Sequence, residues 1–258
     1  VVTLAAGAGP GRETLPLLYQ DERLVIANKP SGLLVHRSPI DRHETRFALQ
    51  ILRDQLGRHV FPLHRIDKGT SGALAFALDP ESAREYAAAF ASRGVVKTYV
   101  ALVRGWPPAQ GQIERPLSAV DDERSRPQHA EPRAALTRFS RLETFELPFR
   151  VDRYPSARYA LLQLQPHTGR RHQLRRHLAG ESHPIVGDST YGKGRHNRLF
   201  REQFGVQRLL LACTRLEFAA SPTSAAVTVD APLAAEFATL LAQLREQHAA
   251  DPLSPAFP

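Results

Sequence analysis

Residues 62–94 read PLHRIDKGTSGALAFALDPESAREYAAAFASRG and carry both the architecture and the chemistry of the chain. GALAFAL, residues 72–78, is short, apolar and strand-like. Asp79 then stands as a helix N-cap, Pro80 as the first helical residue, and Gly94 as the stop. Upstream lie His64, Arg65, Asp67 and Lys68, followed at once by the turn-prone Gly69, Ser71 and Gly72. One carboxylate among three potential cations is either a solvated turn or a reactive group held ionised and aimed.

Strand-like and helical segments alternate irregularly on either side. LLYQDERLVIANKP (17–30) reads as extended and ends in the turn KPSG. ETRFALQILRDQLG spaces Phe47, Ile51 and Leu52 for a helix that stops at Gly57. KTYVALVRG (97–105) and ARYALLQLQP (157–166) read as strands, and QRLLLACTRLEFAA and AAVTVDAP as a strand pair. PLAAEFATLLAQLREQ closes the chain as an amphipathic helix with Leu233, Phe237, Leu240, Leu241 and Leu244 on one face. Residues 106–133 are rich in Pro and charge and read as hairpin loops with some disorder. Without regular βαβ alternation the expectation is α+β with a largely antiparallel sheet. A single domain over 15–248 is expected, between disordered tails at 1–14 and 249–258.

The 258 residues suffice for a sizeable core, and 42% apolar with 23% charged residues is a soluble globular composition. No run approaches the ~20 apolar residues of a membrane span, and the first residues lack the pattern of a signal peptide. The sequence contains no Met, so an initiator is expected to have been removed. The one cysteine, Cys213, lies in an apolar run and reads as a small buried hydrophobe in a reducing cytoplasm. The formal net charge of +8 favours a polyanionic partner. Lysine occurs only at 29, 68, 97 and 193, so the basic charge is mostly arginine, whose planar fork suits phosphate.

A second stretch, HTGRRHQLRRHLAGESHPIVGD (167–188), invites a metal reading through His167, His172, His177 and His183. The first three are spaced by five, about 140° apart on a helix, so they would face different sides. Leu174 and Leu178 would bury one face. Arg171 and Arg175 form another stripe beside a flexible Thr168–Gly169 lead-in, a combination suited to phosphate or carboxylate. A solvated arginine face is the ordinary alternative. Hydrolase elbow, Walker loop and dinucleotide fingerprint are all missing. What is left is the chemistry of a single carboxylate, as nucleophile, base or stabiliser of a cation.

HRIDKGTSG resembles the H-R-L-D-x-x-T-S-G signature of the RluA family of RNA pseudouridine synthases. VIANKPSGLLVH is similar to its N-K-P-x-G element and KTYVALVRG to its K-x-Y-x-A-x-V-x-G strand. TGRRHQLRRHL with HPIVGDSTYG resembles its G-R-x-H-Q-x-R…H-P-I-x-G-D block. The motifs come in the family's order across roughly residues 16–245. LLVHRSPIDRHET, LRDQLGRHVF, HQLRRHL and NRLFREQFGVQRLLL further resemble one subgroup that modifies uridine 65 in the T-stem of certain tRNAs. Departures are Ile66 for the usual Leu and Ala212 where the family has His. No S4-type RNA-binding segment precedes the catalytic region in this sequence.

The resemblance implies a pseudouridine synthase fold around an RNA-binding cleft and isomerisation of uridine without cofactor or metal. It makes Asp67 the catalytic aspartate, Arg175 the cation expected to pair with it, and Tyr99 the ring that stacks on the flipped base. Arg65 matches the residue that enters the vacated helix space. His64, Thr70, Arg170, Arg171, His172 and Gln173 are implied as RNA contacts. A structured tRNA is the implied partner, with a cytoplasmic monomer as the default and no protein partner. An rRNA or another tRNA site is the alternative substrate. A non-catalytic RNA-binding or chaperone protein would not need Asp67, Tyr99 and Arg175 together, and a DNA-binding regulator would want a helix-turn-helix pattern that is missing.

Overall fold

The structure, a computed structural model, describes residues 13–37, 43–118, 131–220 and 225–249. The two expected tails, apart from residues 13, 14 and 249, lie outside the described residues, as does 119–130 of the Pro- and charge-rich stretch. Along the chain run β1 (Leu17–Gln20), β2 (Leu24–Lys29), α1 (Ala48–Leu56), β3 (Phe61–Pro62), β4 (Ser71–Ala77), α2 (Pro80–Ala91) and β5 (Val95–Arg104). Then follow β6 (Gln110–Glu114), β7 (Leu136–Leu147), β8 (Ala157–Pro166), α3 (Gln173–Gly180), α4 (Gly194–Phe204), β9 (Leu211–Phe218), β10 (Val227–Asp230) and α5 (Ala235–Ala249). The fold is mixed α+β, with antiparallel pairing at most strand neighbours, as expected.

The described residues group into two compact units made of interleaved segments. The first takes the chain up to Tyr99, with residues of Ser118–Glu131 and Ala212–Pro232. In it β2 pairs antiparallel with β1 and β4, β3 adds to the end of β4, and β10 pairs antiparallel with β9. One parallel contact, Ser71↔Ala212 and Gly72↔Cys213, joins β4 to β9. Every residue of β4 is buried, which is why its sequence shows no polar alternation. Burying Leu74 and Phe76 stabilises the unit by about 1.5–3 kcal/mol each.

Helix α1 ends as expected, with Gly57 in the left-handed conformation donating to the Arg53 carbonyl. Helix α2 also starts as expected, the Asp79 carboxylate accepting from the Ser82 amide at 2.8 Å with Pro80 next in line. Its end differs. Arg93, at φ +64°, takes the left-handed position that was expected of Gly94. The Gly94 amide instead reaches back to the Ala89 carbonyl, while its own carbonyl accepts from Ala219 as the chain enters β5. Tyr86 and Phe90 of α2 meet the edge of Phe218, with centroids 5.6 and 5.8 Å apart.

The second unit takes Val100–Leu117, the chain from Pro132 to Leu211, and the described residues from Leu233. Strands β6, β7 and β8 form an antiparallel meander, with a register shift in β7 between Arg141 and Glu143. Helix α5 packs on β7, burying Phe237, Leu240, Leu241 and Leu244. Leu233 precedes the helix and is only half-buried, so it does not share that face. Strand β7 and helix α4 had no counterpart in the sequence reading. Among the described residues no helix is long and apolar enough to cross a membrane.

Candidate active site

In the first unit Asp67, the acid expected to be catalytic, opens a turn to Thr70 that is closed by the Thr70 amide on the Asp67 carbonyl at 3.0 Å. A second loop grips this turn. The Lys29 side chain is fully buried and its ammonium donates to the carbonyls of Leu33, Pro30 and Lys68 at 2.6, 2.8 and 3.2 Å. The Ser31 hydroxyl donates to the Gly69 carbonyl at 2.7 Å, and the Gly32 amide to the Lys68 carbonyl at 2.8 Å. Sequence reading gave Lys29 no role, although a lysine at the end of an apolar strand is a signal, because a buried ammonium must find oxygen partners. Its role is to clamp the Asp67 turn.

The three potential cations flanking Asp67 in sequence have three different fates. His64 is not a cation. Its Nε2 accepts from the Ala75 amide at 3.1 Å, its ring stacks on Phe90, and burial with Lys97 nearby pushes its pKa down to about 3. Lys68 turns away to an ion pair with Glu44. Arg65 alone of the three is exposed without an ion pair among the described residues. Thr70, expected to contact RNA, is 2% exposed and belongs to the scaffold of the turn.

Tyr99 is buried in the same unit, and its pKa is raised by burial first, then by Cys213 and by the Asp67 carboxylate. Its hydroxyl is therefore a neutral phenol within reach of the Asp67 charge. Cys213, buried as expected, has its thiol pushed up to about 12 by burial, which leaves it without nucleophilic character. Ala212 pairs with Ser71 and Cys213 with Gly72, so the departure at 212 falls in the strand packing directly behind the turn. Gly72 serves that packing. At φ +106° a Cβ there would sit 2.0 Å from the Cys213 carbonyl oxygen.

In the second unit the 168–175 segment is fixed by a buried polar network. The Gln173 side chain donates to the Leu136 carbonyl and the Thr137 hydroxyl, both at 3.0 Å. Its oxygen accepts from the Thr168 hydroxyl at 2.7 Å and the Arg170 amide at 3.1 Å. His177, fully buried, bridges the Thr137 hydroxyl and the Arg115 carbonyl, each at 3.0 Å. Gln173 thus organises the loop from within, where the sequence suggested an RNA contact, and Thr168 is anchored rather than flexible.

Arg175 is 9% exposed, so it is not part of an open arginine stripe, and Arg171 precedes the helix altogether. Its fork sits on Asp188, Nε to Oδ2 at 2.7 Å and Nη2 to Oδ1 at 2.8 Å. The Tyr191 ring lies 5.1 Å below the guanidinium. His172, at φ +53°, is a strained N-cap whose Nδ1 meets the Tyr191 hydroxyl at 3.1 Å. Arg170 donates to the Ala134 carbonyl and is half-buried. Asp188 and Tyr191 lie in the quoted HPIVGDSTYG block, yet their role needed the fold, since nothing in the sequence says which arginine meets which acid.

The sequence profile described as RNA pseudouridylate synthase matches residues 23–180, a span that includes Asp67, Tyr99 and Arg175. The chain belongs to the RNA pseudouridylate synthase family. It is 47% identical over 220 residues to a tRNA pseudouridine synthase C of Vibrio vulnificus, covering 84% of this chain and 90% of that one. A tRNA pseudouridine synthase C of Pasteurella multocida is 46% identical over 222 residues, covering 84% and 91%. The solved structure of human RNA pseudouridylate synthase domain-containing 4 is similar at a TM-score of 0.66 with 28% identity, over 89% of this chain and 92% of that one. That of human domain-containing 1 shares the fold at a TM-score of 0.65.

In this pseudouridylate synthase Asp188 has a lowered pKa. Burial pushes it up, but the Arg175 fork and the amides of Tyr191 and Thr190 outweigh burial. Its folded value lies below the unfolded one near 4, so this contribution is complete above about pH 4 and fades as pH falls through the folded value. Asp188→Asn is expected to cost about 3 kcal/mol at pH 7 by leaving a buried guanidinium underpaired. The gap from the parent protein should narrow in acid. Urea unfolding at several pH values measures it, and a constant gap would contradict the assignment.

Proposed function

We propose that this family member isomerises uridine to pseudouridine in tRNA, at position 65 of the T-stem, as a cytoplasmic monomer. The C1′–N1 bond breaks, the base turns, and C5 joins C1′; C5 gives up its proton and N1 gains one, so the product is an isomer. Asp67 is the carboxylate that starts this sequence at the sugar or the base. The observation that carries the reading is the Asp67 turn, clamped by Lys29 and Ser31, beside a buried Tyr99 that senses its charge.

The raised pKa of Tyr99 supports a role in stacking on the base and donating its hydroxyl proton as a hydrogen bond. As a neutral phenol it is a poor resting base for the C5 proton. Arg175 takes the supporting cation's role by the motif, and Arg65, exposed next to the turn, suits insertion into the vacated helix space. The relatives named tRNA pseudouridine synthase C support tRNA as substrate.

Incubating the purified protein with a tRNA transcript carrying uridine 65, followed by nucleoside mapping, tests the proposal. One pseudouridine at position 65 is the expected product. Modification at another position would overturn the site, and unmodified RNA would overturn the activity.

A further inference from the structure

Helix α4 and its flanking loops border a half-open cavity of about 290 Å³, lined by Ser189, Asn197, Arg198, Arg201, Val206 and Gln207 among others. All of it lies within the second unit and beyond the segment matched by the family profile. It coincides with the NRLFREQFGVQ stretch that the catalytic reading leaves unused. We propose that this cavity holds a backbone phosphodiester of the substrate RNA, away from the target uridine. The inference rests on RNA being the substrate.

Charge is the first argument. Arg198 and Arg201 stand three apart on α4, hence on one side of the helix. Both are exposed, and neither has an ion-pair or hydrogen-bond partner for its guanidinium among the described residues. Elsewhere in the unit Arg115, Arg158, Arg175 and Arg245 each sit on a carboxylate. No acid lines the cavity to neutralise the pair. Two unpaired guanidiniums at this spacing can grip one phosphate from two sides.

The walls are held in place. Asn197 accepts from the Gly187 amide at 2.8 Å and donates to the Asp188 carbonyl at 2.9 Å, so α4 is tied to the loop that bears Asp188. At the other end Gly205, at φ +68°, caps α4 on the Arg201 carbonyl and turns the chain so that Val206 and Gln207 close the cavity. The lining has no aromatic ring on which a base could stack and one aliphatic side chain, Val206. Most small-molecule pockets are largely apolar and RNA bases are read by stacking, so backbone recognition is what these walls suit.

The test uses the full chain with Arg198→Gln and Arg201→Gln combined, and Arg198→Lys with Arg201→Lys as the charge-keeping control. Binding of the tRNA transcript is measured across a series of KCl concentrations, and steady-state kinetics at one of them. The Gln pair should raise KM roughly tenfold with kcat held within about twofold. It should also flatten the slope of log affinity against log salt by about 1, while the Lys pair keeps the parent slope. An unchanged slope and KM in the Gln pair, or a loss confined to kcat, overturns the proposal. So does heat stabilisation by inorganic phosphate that needs Arg198 while RNA affinity does not. Because the slope needs no turnover, failure to form pseudouridine would count against the proposed function and leave this inference readable.

Discussion

Replacing Asp67 by asparagine is expected to lower pseudouridine formation by at least about a thousandfold, because under the proposed mechanism it removes the anion that starts the reaction while keeping shape. The fold should tolerate the change. The turn is closed by the Asp67 backbone carbonyl and clamped through carbonyls of Lys68 and Gly69, none of which depends on the carboxylate. RNA affinity should stay within about threefold, since phosphate contacts dominate binding. Tritium release from C5-labelled uridine in tRNA, read beside a binding titration, separates the two effects. Turnover above a few per cent of the parent rate would remove Asp67 from the chemistry.

Gly72→Ala should be the most destabilising small substitution in the first unit. The added methyl would lie 2.0 Å from the Cys213 carbonyl oxygen and 2.8 and 2.9 Å from the carbon and nitrogen of the same residue, at a φ of +106°. Left-handed strain and a backbone overlap at a strand pair together cost about 4 kcal/mol. In a protein of this size that lowers the melting temperature by on the order of 10 °C. Gly32→Ala isolates the strain alone, since φ there is +85° with nothing within 4 Å of the methyl, and about 1–2 kcal/mol is expected. Equal losses for the two variants would show that β9 gives way to the methyl.

The elements that the sequence announces are those whose signals are local. The Asp79–Pro80 start of α2 needs only its own side chains, and the stop of α1 at Gly57 needs one residue free to turn left-handed. The continuous apolar run of β4 reflects burial on both faces. Strand β7 was missed because its buried positions, among them Thr137, Phe145 and Leu147, are diluted by Arg, Ser and Glu and interrupted by a register shift. The stop of α2 moved to Arg93 because Gly94 bonds to Ala219, a partner 125 residues away that no local pattern reveals.

By itself the sequence determined the element types around residues 62–94, the α+β class and, through its motifs, the family. Through the same motifs it singled out Asp67 as the candidate acid. Only the tertiary structure decided what surrounds that acid: a neutral His64, a Lys68 drawn off to Glu44, a Lys29 clamping the turn and a Tyr99 kept protonated. The same holds for Arg175, which shares its block of sequence with Asp188 but whose fork on that acid is a fact of the folded chain. The physical reason is that charge state and pairing depend on burial and on distances of a few ångströms, and both are set by residues far apart in sequence.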